Sequence, residues 1–239
     1  MHCETDRMKT RRSRDHGHRF PAEIISHAVW LYHRFSLSFR DVEDLLAERC
    51  IIVSYETIRH WCQKFGPDYA RKLKRLQGRL GDTWHLDELF LKINGEQQYL
   101  WRAVDQDGDV IDILVQSRRD QHAAERFFQR LLRGQGKEPF RIITDKLKSY
   151  SAAKRTIMPN VAHDTCRYAN NRAEVSHQPT RHRERQMRRF KSPRHAQRFL
   201  SAHGVINNLF RVGRHRLRSF NHRLLRTRSF IVWRAVTAA

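Results

Sequence analysis

Three carboxylates, Asp87, Asp145 and Glu174, stand in settings that suit metal ligands. The settings are Trp84-His85-Leu86-Asp87-Glu88, Ile142-Ile143-Thr144-Asp145-Lys146 and Asn170-Asn171-Arg172-Ala173-Glu174. The 239-residue chain around them carries a formal charge of +22, with 47 Lys and Arg against 25 Asp and Glu. So large a positive charge calls for a polyanionic partner, and nucleic acid is the obvious one. Carboxylates on such a surface repel phosphate unless divalent cations bridge the two. The combination points to metal-dependent chemistry on a phosphodiester, with two Mg2+ ions, or Mn2+ in their place, held by the three acids. Each acid also has an ordinary explanation when taken singly. Asp87 reads as a polar hairpin residue, Asp145 as a helix N-cap and Glu174 as an exposed helix acid paired with Arg172. Composition does not choose these three from 25.

The elements that must position them can be read from periodicity. Apolar residues make up 39% of the chain, and 13 Phe and 5 Trp exclude global disorder. No apolar run has the ~18–20 residues of a membrane span, so no membrane partner is expected. The start, Met1 to Arg19, lacks the apolar stretch of a secretory signal and reads as a basic arm. Cys3, Cys50, Cys62 and Cys166 form no Cys-x-x-Cys pair, which argues against a disulfide framework or a zinc finger. His163 and Cys166 have no second pair to complete a zinc site. A reducing, cytoplasmic compartment follows.

Helical spacing begins at Pro21, with Ile24, Ile25, Ala28, Val29, Leu31 and Tyr32 on one face. Ser38 and Asp41 resemble a capping box for a second helix. Ser54 caps a third, with Ile58, Trp61, Cys62 and Phe65 inward and Gly66-Pro67 as its end. Three short helices so linked read as a helix-turn-helix, and Tyr55, Glu56, Arg59 and His60 would face DNA. Tyr69 to Leu80 reads as a basic helical connector. Strands are expected at Thr83–Ile93, Gln98–Val104 and Val110–Val115, joined by turns at Asn94-Gly95 and Gln106-Asp107-Gly108. Asp120 caps a helix that ends near Gly134 and Gly136, and a fourth strand, Phe140–Thr144, runs into Asp145. The order implies an α/β fold with a mixed sheet. Alternation sends Asp87 and Glu88 to opposite faces. A further amphipathic helix is expected from Arg194 to Phe210, and Phe220 to Trp233 mixes apolar residues with arginine. From Arg167 to Arg234 there are 18 Lys and Arg against two acids, so binding should fall steeply with salt.

Several stretches, in order, resemble the DDE transposases of bacterial insertion sequences, specifically the IS-six group. They are Thr83–Glu88, Tyr99-Leu100-Trp101-Arg102-Ala103-Val104-Asp105, Ile143–Lys146 and Tyr168–Glu174, followed by Ser176–Arg181 and Arg183 through Ser192. Fifty-seven residues separate the aspartates and 28 separate Asp145 from Glu174. The resemblance implies an RNase H-like core whose metal-binding, catalytic residues are Asp87, Asp145 and Glu174. It also implies DNA contacts from basic residues of these stretches, Lys146, Arg172, Arg181 and Arg185. Arg181 lies seven residues beyond Glu174, two helical turns on, with Pro179 between them.

The implied reaction is water attack at the ends of the element, then attack of the freed 3′ hydroxyls on target DNA by replicative transposition. The implied partners are double-stranded DNA, both terminal inverted repeats and target, and a second copy of the chain in a homodimer or larger synaptic assembly. The setting would be bacterial cytoplasm, at the nucleoid. The expected organisation is an arm at 1–19, a helix-turn-helix domain at 20–66, a basic helical linker at 67–81, the catalytic core at 82–192 and a basic helical segment at 193–239. Two rivals are a non-catalytic regulator derived from a transposase and an RNase H-like nuclease that cleaves without joining. The first predicts loss of a carboxylate. The second has no need of the N-terminal helices.

Overall fold

The computed structural model describes residues 19–78, 80–166, 169–212 and 217–238. The expected arm, apart from Arg19, and Tyr168 of the fourth motif lie outside the described residues. The chain opens with α1 (Ala22–Arg34), α2 (Phe39–Ala47) and α3 (Tyr55–Leu76). The capping box forms: Ser38 Oγ accepts from the Asp41 amide at 3.1 Å, and Asp41 Oδ2 accepts from the Ser38 amide at 2.7 Å. Ser54 Oγ likewise accepts from the Thr57 amide.

Gly66-Pro67 does not end α3, contrary to the sequence expectation. An internal proline costs a helix about 3 kcal/mol. Phe65, Tyr69 and Leu73 continue the buried stripe on both sides of it, and each such side chain contributes about 1.5–3 kcal/mol, so burial wins. Gly66 permits close approach of α1, since a Cβ there would meet His33 Nε2 at 2.7 Å.

The sheet follows as β1 (Thr83–Ile93), β2 (Glu96–Asp105), β3 (Val110–Gln116), α4 (Gln121–Gln135), β4 (Arg141–Ile143), α5 (Lys148–Ile157) and β5 (Ala162–Asp164). Asn94 and Gly95 take φ of 52° and 88°, the two-residue turn the sequence signalled. Asp120 Oδ1 caps α4 through the Ala123 amide at 2.8 Å, and Gly136 closes it with φ 66°. The strand order is β3-β2-β1-β4-β5. The β1–β2 and β2–β3 pairings are antiparallel, and β1–β4 and β4–β5 are parallel. This is the mixed sheet of an RNase H-like fold. The first two strands match their expected positions, β2 running longer. β4 is shorter than expected, and α5 and β5 were not foreseen.

Helices cover both faces. Trp84, Leu86, Trp101 and Ala103 pack against α4 and α5 through Ala124, Phe127, Phe128 and Tyr150. Leu89, Leu91, Ile93 and Leu100 join a second cluster with α1, α3 and the later helices α8 (Pro193–Phe210) and α9 (Ser219–Thr237). The N-terminal helices therefore share a core with one face of the sheet. The Phe220–Trp233 segment lies within α9, which packs through Trp233 and Val236.

Between β5 and α8 run α6 (Asn171–Ser176) and α7 (Gln178–Gln186). Pro179 sits in the first turn of α7, so the helix restarts there rather than running on from α6. Arg188 and Arg189, just past α7, have φ of 50° and 70°, a left-handed conformation that costs a non-glycine residue roughly 1–2 kcal/mol. Arg183 of α7 is 1% exposed. Its Nη1 donates to the carbonyls of Phe35 at 3.0 Å and Leu37 at 2.8 Å, and its guanidinium lies 4.6 Å from the Tyr32 ring centre. Arg183→Met removes the donor and strands two carbonyls. Urea denaturation should show a loss of roughly 2–4 kcal/mol; a loss below about 1 kcal/mol would mean that those carbonyls find other donors.

Candidate active site

Three parallel pairs, Thr83–Arg141, Trp84–Ile142 and His85–Ile143, fix the height of β4 against β1. Continuing that register by two residues sets Asp145 level with Asp87. The pairing stops at Ile143, so no strand among the described residues lies beside Asp87 on the side away from β2. Asp87, Glu88 and Asp145 converge there, one oxygen of each within 4.8 Å of the others. Asp87 and Glu88 do lean to opposite faces, as alternation requires: Asp87 meets α6 and α7, and Glu88 meets α5.

Each acid is held. Asp87 Oδ1 accepts from the Glu88 amide at 2.9 Å, and Oδ2 lies 3.1 Å from His177 Nε2. A carboxylate only accepts, so His177 Nε2 carries the hydrogen. Asp145 Oδ1 accepts from the Leu147 amide at 3.0 Å, and Oδ2 stands 3.6 Å from Arg119 Nη2. Arg119 also grips Glu88 Oε1 through Nε and Nη2, and the Tyr150 hydroxyl donates to Glu88 Oε2 at 2.9 Å. Arg102, buried on β2 directly opposite Asp87, donates to Thr180 Oγ1 at 3.0 Å. Burial lowers its pKa to about 10, so it remains a cation at neutral pH.

Glu174 lies outside the carboxylate cluster among the described residues. Its helix has only six residues and is tied down on either side of it. Asn170 Nδ2 donates to the Leu86 carbonyl at 2.8 Å, and His177 reaches Asp87. Asn170, Ala173 and His177 take the inner stripe, leaving Glu174 exposed at its border. Of the three expected carboxylates, the fold brings Asp87 and Asp145 together, sets Glu174 apart from them and adds Glu88.

Arg181 is not carried two turns along one continuous helix, because the chain restarts at Pro179. It pairs with Glu184 at 3.2 Å and lines a cleft beside β1 together with Arg185. Lys146 is exposed next to Asp145, and Arg172 is half-buried. Tyr55 and Arg59 line a second cleft between α3, α7 and α8, with His60 exposed on the same helix. The sequence reading gave no role in the site to Glu88, Arg119, Tyr150 or His177. Glu88 carried a signal, as an acid inside an apolar strand beside Asp87. Arg119 and Tyr150 come from distant stretches of the chain, and His177 stood within the Ser176–Arg181 stretch without a role of its own.

Burial, then the neighbouring Asp145 charge, pushes the Glu88 carboxyl above its usual range against the opposing pull of Arg119 and Tyr150. Burial likewise raises Asp145, with Asp87 adding to it. Burial and the three carboxylates together push the Tyr150 hydroxyl far up, so it stays a donor. Crowded, partly desolvated carboxylates of this kind gain from a divalent cation that restores their charge, and their oxygens are the donors that Mg2+ and Mn2+ prefer.

Acidic oxygens gathered at the middle of β1, just past the end of the parallel strand β4, form the kind of site that a polynucleotidyl transferase uses. The family model for the DDE domain of IS240-type transposases matches residues 81–213. The chain is 32% identical, over 206 residues, to the transposase for the insertion sequence-like element IS431mec of Staphylococcus aureus, covering 84% of this chain and 90% of that one. It is 31% identical, with the same coverage, to the transposase for insertion sequence element IS257 in transposon Tn4003 from the same species. The chain thus belongs to the DDE transposases of bacterial insertion sequences, in the IS-six group. A simian T-cell lymphotropic virus intasome in complex with PP2A regulatory subunit B56 gamma aligns over 44% of this chain and 39% of its own, at 19% identity and a TM-score of 0.35, too slight a likeness to carry an argument. No helix among the described residues is long and apolar enough to cross a membrane.

The raised Glu88 pKa has a stability consequence. A carboxyl whose folded pKa exceeds its unfolded value of about 4.3 stabilises the fold most below that value, and the contribution is lost as pH rises through the folded pKa. Glu88→Gln removes this dependence. In metal-free buffer, the stability of Glu88→Gln relative to the natural protein should rise from pH 4 to pH 7; a change of opposite sign would show that the Arg119 pairing outweighs burial.

Proposed function

We propose that this chain binds the terminal inverted repeats of its insertion sequence, cuts there and joins the freed 3′ hydroxyls to target DNA, by a replicative route. The observation that carries the reading is the convergence of Asp145, just past the end of β4, with Asp87 in the middle of β1. Those two aspartates would hold the metal, with Mg2+ or Mn2+, two ions per site, as the fitting choice. When bound, the metal supplies Lewis-acid activation of the attacking oxygen and stabilisation of the departing 3′ oxygen.

The chain's own part is positioning. His177 fixes the rotamer of Asp87, the Leu147 amide fixes Asp145, and Arg119 offsets the charge of Glu88. The resemblance names Glu174 as the third ligand, and the geometry offers Glu88. Glu174 takes the role if α6 turns its exposed carboxylate inward when metal and DNA are bound. The Arg119 and Tyr150 contacts favour Glu88 as a support rather than a ligand. Lys146, Arg172, Arg181 and Arg185 serve as phosphate contacts, and Tyr55, Arg59 and His60 as the end-reading surface. Two ends must be held together for joining, which calls for at least a homodimer, acting at the bacterial nucleoid in the cytoplasm.

Strand transfer of an end-containing oligonucleotide with Mg2+ or Mn2+ tests the chemistry. Asp87→Ala and Asp145→Ala should each lower joining by more than about 1,000-fold while keeping DNA binding. Glu174→Ala should match them, and Glu88→Gln should retain measurable joining. Full activity in any of the first three removes that residue from the site. On the recognition side, Arg59→Ala should weaken binding of end DNA over unrelated duplex by roughly 5–150-fold, the scale of one lost base contact. Unchanged discrimination would displace the reading surface from the start of α3.

A further inference from the structure

Helix α9 is packed along only part of its length. Its C-terminal half is anchored: Trp233 meets the Tyr69 ring edge-on at 5.5 Å, and the Val236 carbonyl accepts from Lys72 Nζ at 3.0 Å. From 219 to 227, by contrast, every residue except His222 is exposed. Phe220 is 67% exposed, Leu224 follows one turn later, and Ile231, 54% exposed, lies two turns beyond that. Helical spacing sets these three on one stripe, opposite the buried stripe of Ser229, Trp233 and Val236. Arg223 and Arg228 border the stripe on its two sides, and the helix holds four arginines and no acid. A short helical stretch is marginal in water by itself, and an apolar stripe exposed along it marks a surface for association.

The complementary surface lies on α2. Val42 and Leu46 point inward, so Asp44, Leu45 and Glu48 share the outer face, with Ile52, 78% exposed, in the connector that follows. In a chain of charge +22, residues 39–54 hold four acids against two arginines. Phosphate is repelled from such a patch, so the apolar residues within it suit a protein rather than DNA. Among the described residues no ion pair engages Asp44, Glu48, Arg223 or Arg228. Within one chain the two surfaces are kept apart. Tyr32 stacks on Phe39 of α2, whereas Trp30 meets Phe230 of α9. Two residues along a helix differ by about 200° around its axis, so α2 and α9 lie on different sides of α1.

We infer that the exposed stripe of α9 docks on the outer face of α2 in a second copy of the chain, with the reciprocal contact formed about a twofold axis. Phe220, Leu224 and Ile231 cover Leu45 and Ile52, while Arg223 and Arg228 reach Asp44 and Glu48. The inference rests on the transposase reading above, which needs two copies, and adds where they join. Two α9 helices packed on each other would bring four arginines from each side together with no acid between them, so like charge turns α9 away from itself. The acids on α2 answer that charge. Reciprocal docking uses up both surfaces of both copies, so the assembly closes as a dimer and does not grow into a filament. Glu43 of α2 accepts from the Tyr55 amide at 3.1 Å through Oε1. The start of α3, expected to read DNA, is thereby braced in each copy by the C-terminal helix of the other.

Sedimentation velocity of the full chain without DNA, over a range of salt, tests this. The natural chain should sediment as a dimer that weakens as salt rises; a monomer at every concentration would overturn the interface. Arg223→Glu with Arg228→Glu, and separately Asp44→Lys with Glu48→Lys, should each weaken self-association roughly 100-fold, the scale of like-charge contact. All four positions are exposed, so unchanged circular dichroism should accompany the loss. The four changes in one chain should return the dimer to within about tenfold of the natural affinity. An equimolar mixture of the two double variants should dimerise as well. Unchanged self-association in Asp44→Lys with Glu48→Lys would overturn α2 as the dock. Weakened duplex binding in the arginine variant, with self-association intact, would make α9 a DNA-binding helix instead. Strand transfer, run in parallel, separates the two readings. Joining that depends on Asp87, with both double variants still dimeric, leaves the transposase reading standing and removes the interface. Absence of joining by the natural protein, with the dimer lost in each double variant and restored by all four changes, leaves the interface standing and removes that reading.

Discussion

Three parallel residue pairs between β1 and β4 govern the chemistry of this protein. They set the height of one strand against the other, and that height brings Asp87 and Asp145 together. A shift of one residue would turn Asp145 to the opposite face of the sheet. The short pairing is stabilised by burial on both sides: Trp84 and Ile142 are fully buried, and β5 closes the far edge. Because β4 stops at Ile143, the same pairing leaves the space beside Asp87 open. Strand shortness is therefore part of the site, since a longer β4 would fill the place that metal and DNA require.

Electrostatics impose the second constraint. The acids sit close together in a chain with a net charge of +22, and each would repel its neighbours if left alone. The fold answers with a fixed partner for each: His177 for Asp87, a backbone amide for Asp145, and Arg119 with Tyr150 for Glu88. These partners come from three segments, at Arg119, at the start of α5 and at His177, so the cluster is stable only once the tertiary fold exists. Arg119 has a double position, bound to the acids on one side and lying over Phe90 on the other. It connects the reaction centre to the basic cleft along β1.

The N-terminal helices extend the same design. α1 and α3 pack with α8 and α9 against the sheet face opposite α4 and α5. Arg183 of α7 grips the carbonyls of Phe35 and Leu37 between α1 and α2. The surface expected to read DNA is thereby fixed relative to α7, whose arginines line the catalytic edge. α3 passes unbroken through Pro67, so there is no hinge at the point where the sequence reading ended the helix.

Much of this was legible in the residues. Local rules act over three or four positions, and they gave the Ser38–Asp41 box, the Asp120 cap, the Asn94-Gly95 turn and all of β1. Resemblance at Thr83–Glu88 and Ile143–Lys146 pointed to Asp87 and Asp145, and the sheet sets the two side by side. Three outcomes belonged to tertiary structure. Pro67 was overridden because a buried stripe on both sides outweighs one broken helical turn. Glu174 stands outside the cluster because Asn170 and His177 pin its short helix to β1. Arg119, Tyr150 and His177 entered the site from distant positions, as contacts that no periodicity encodes. The sequence by itself determined the local elements and the aspartates. Only the fold decided which charges stand next to one another, because Coulomb and packing energies depend on distance in space and not on distance along the chain.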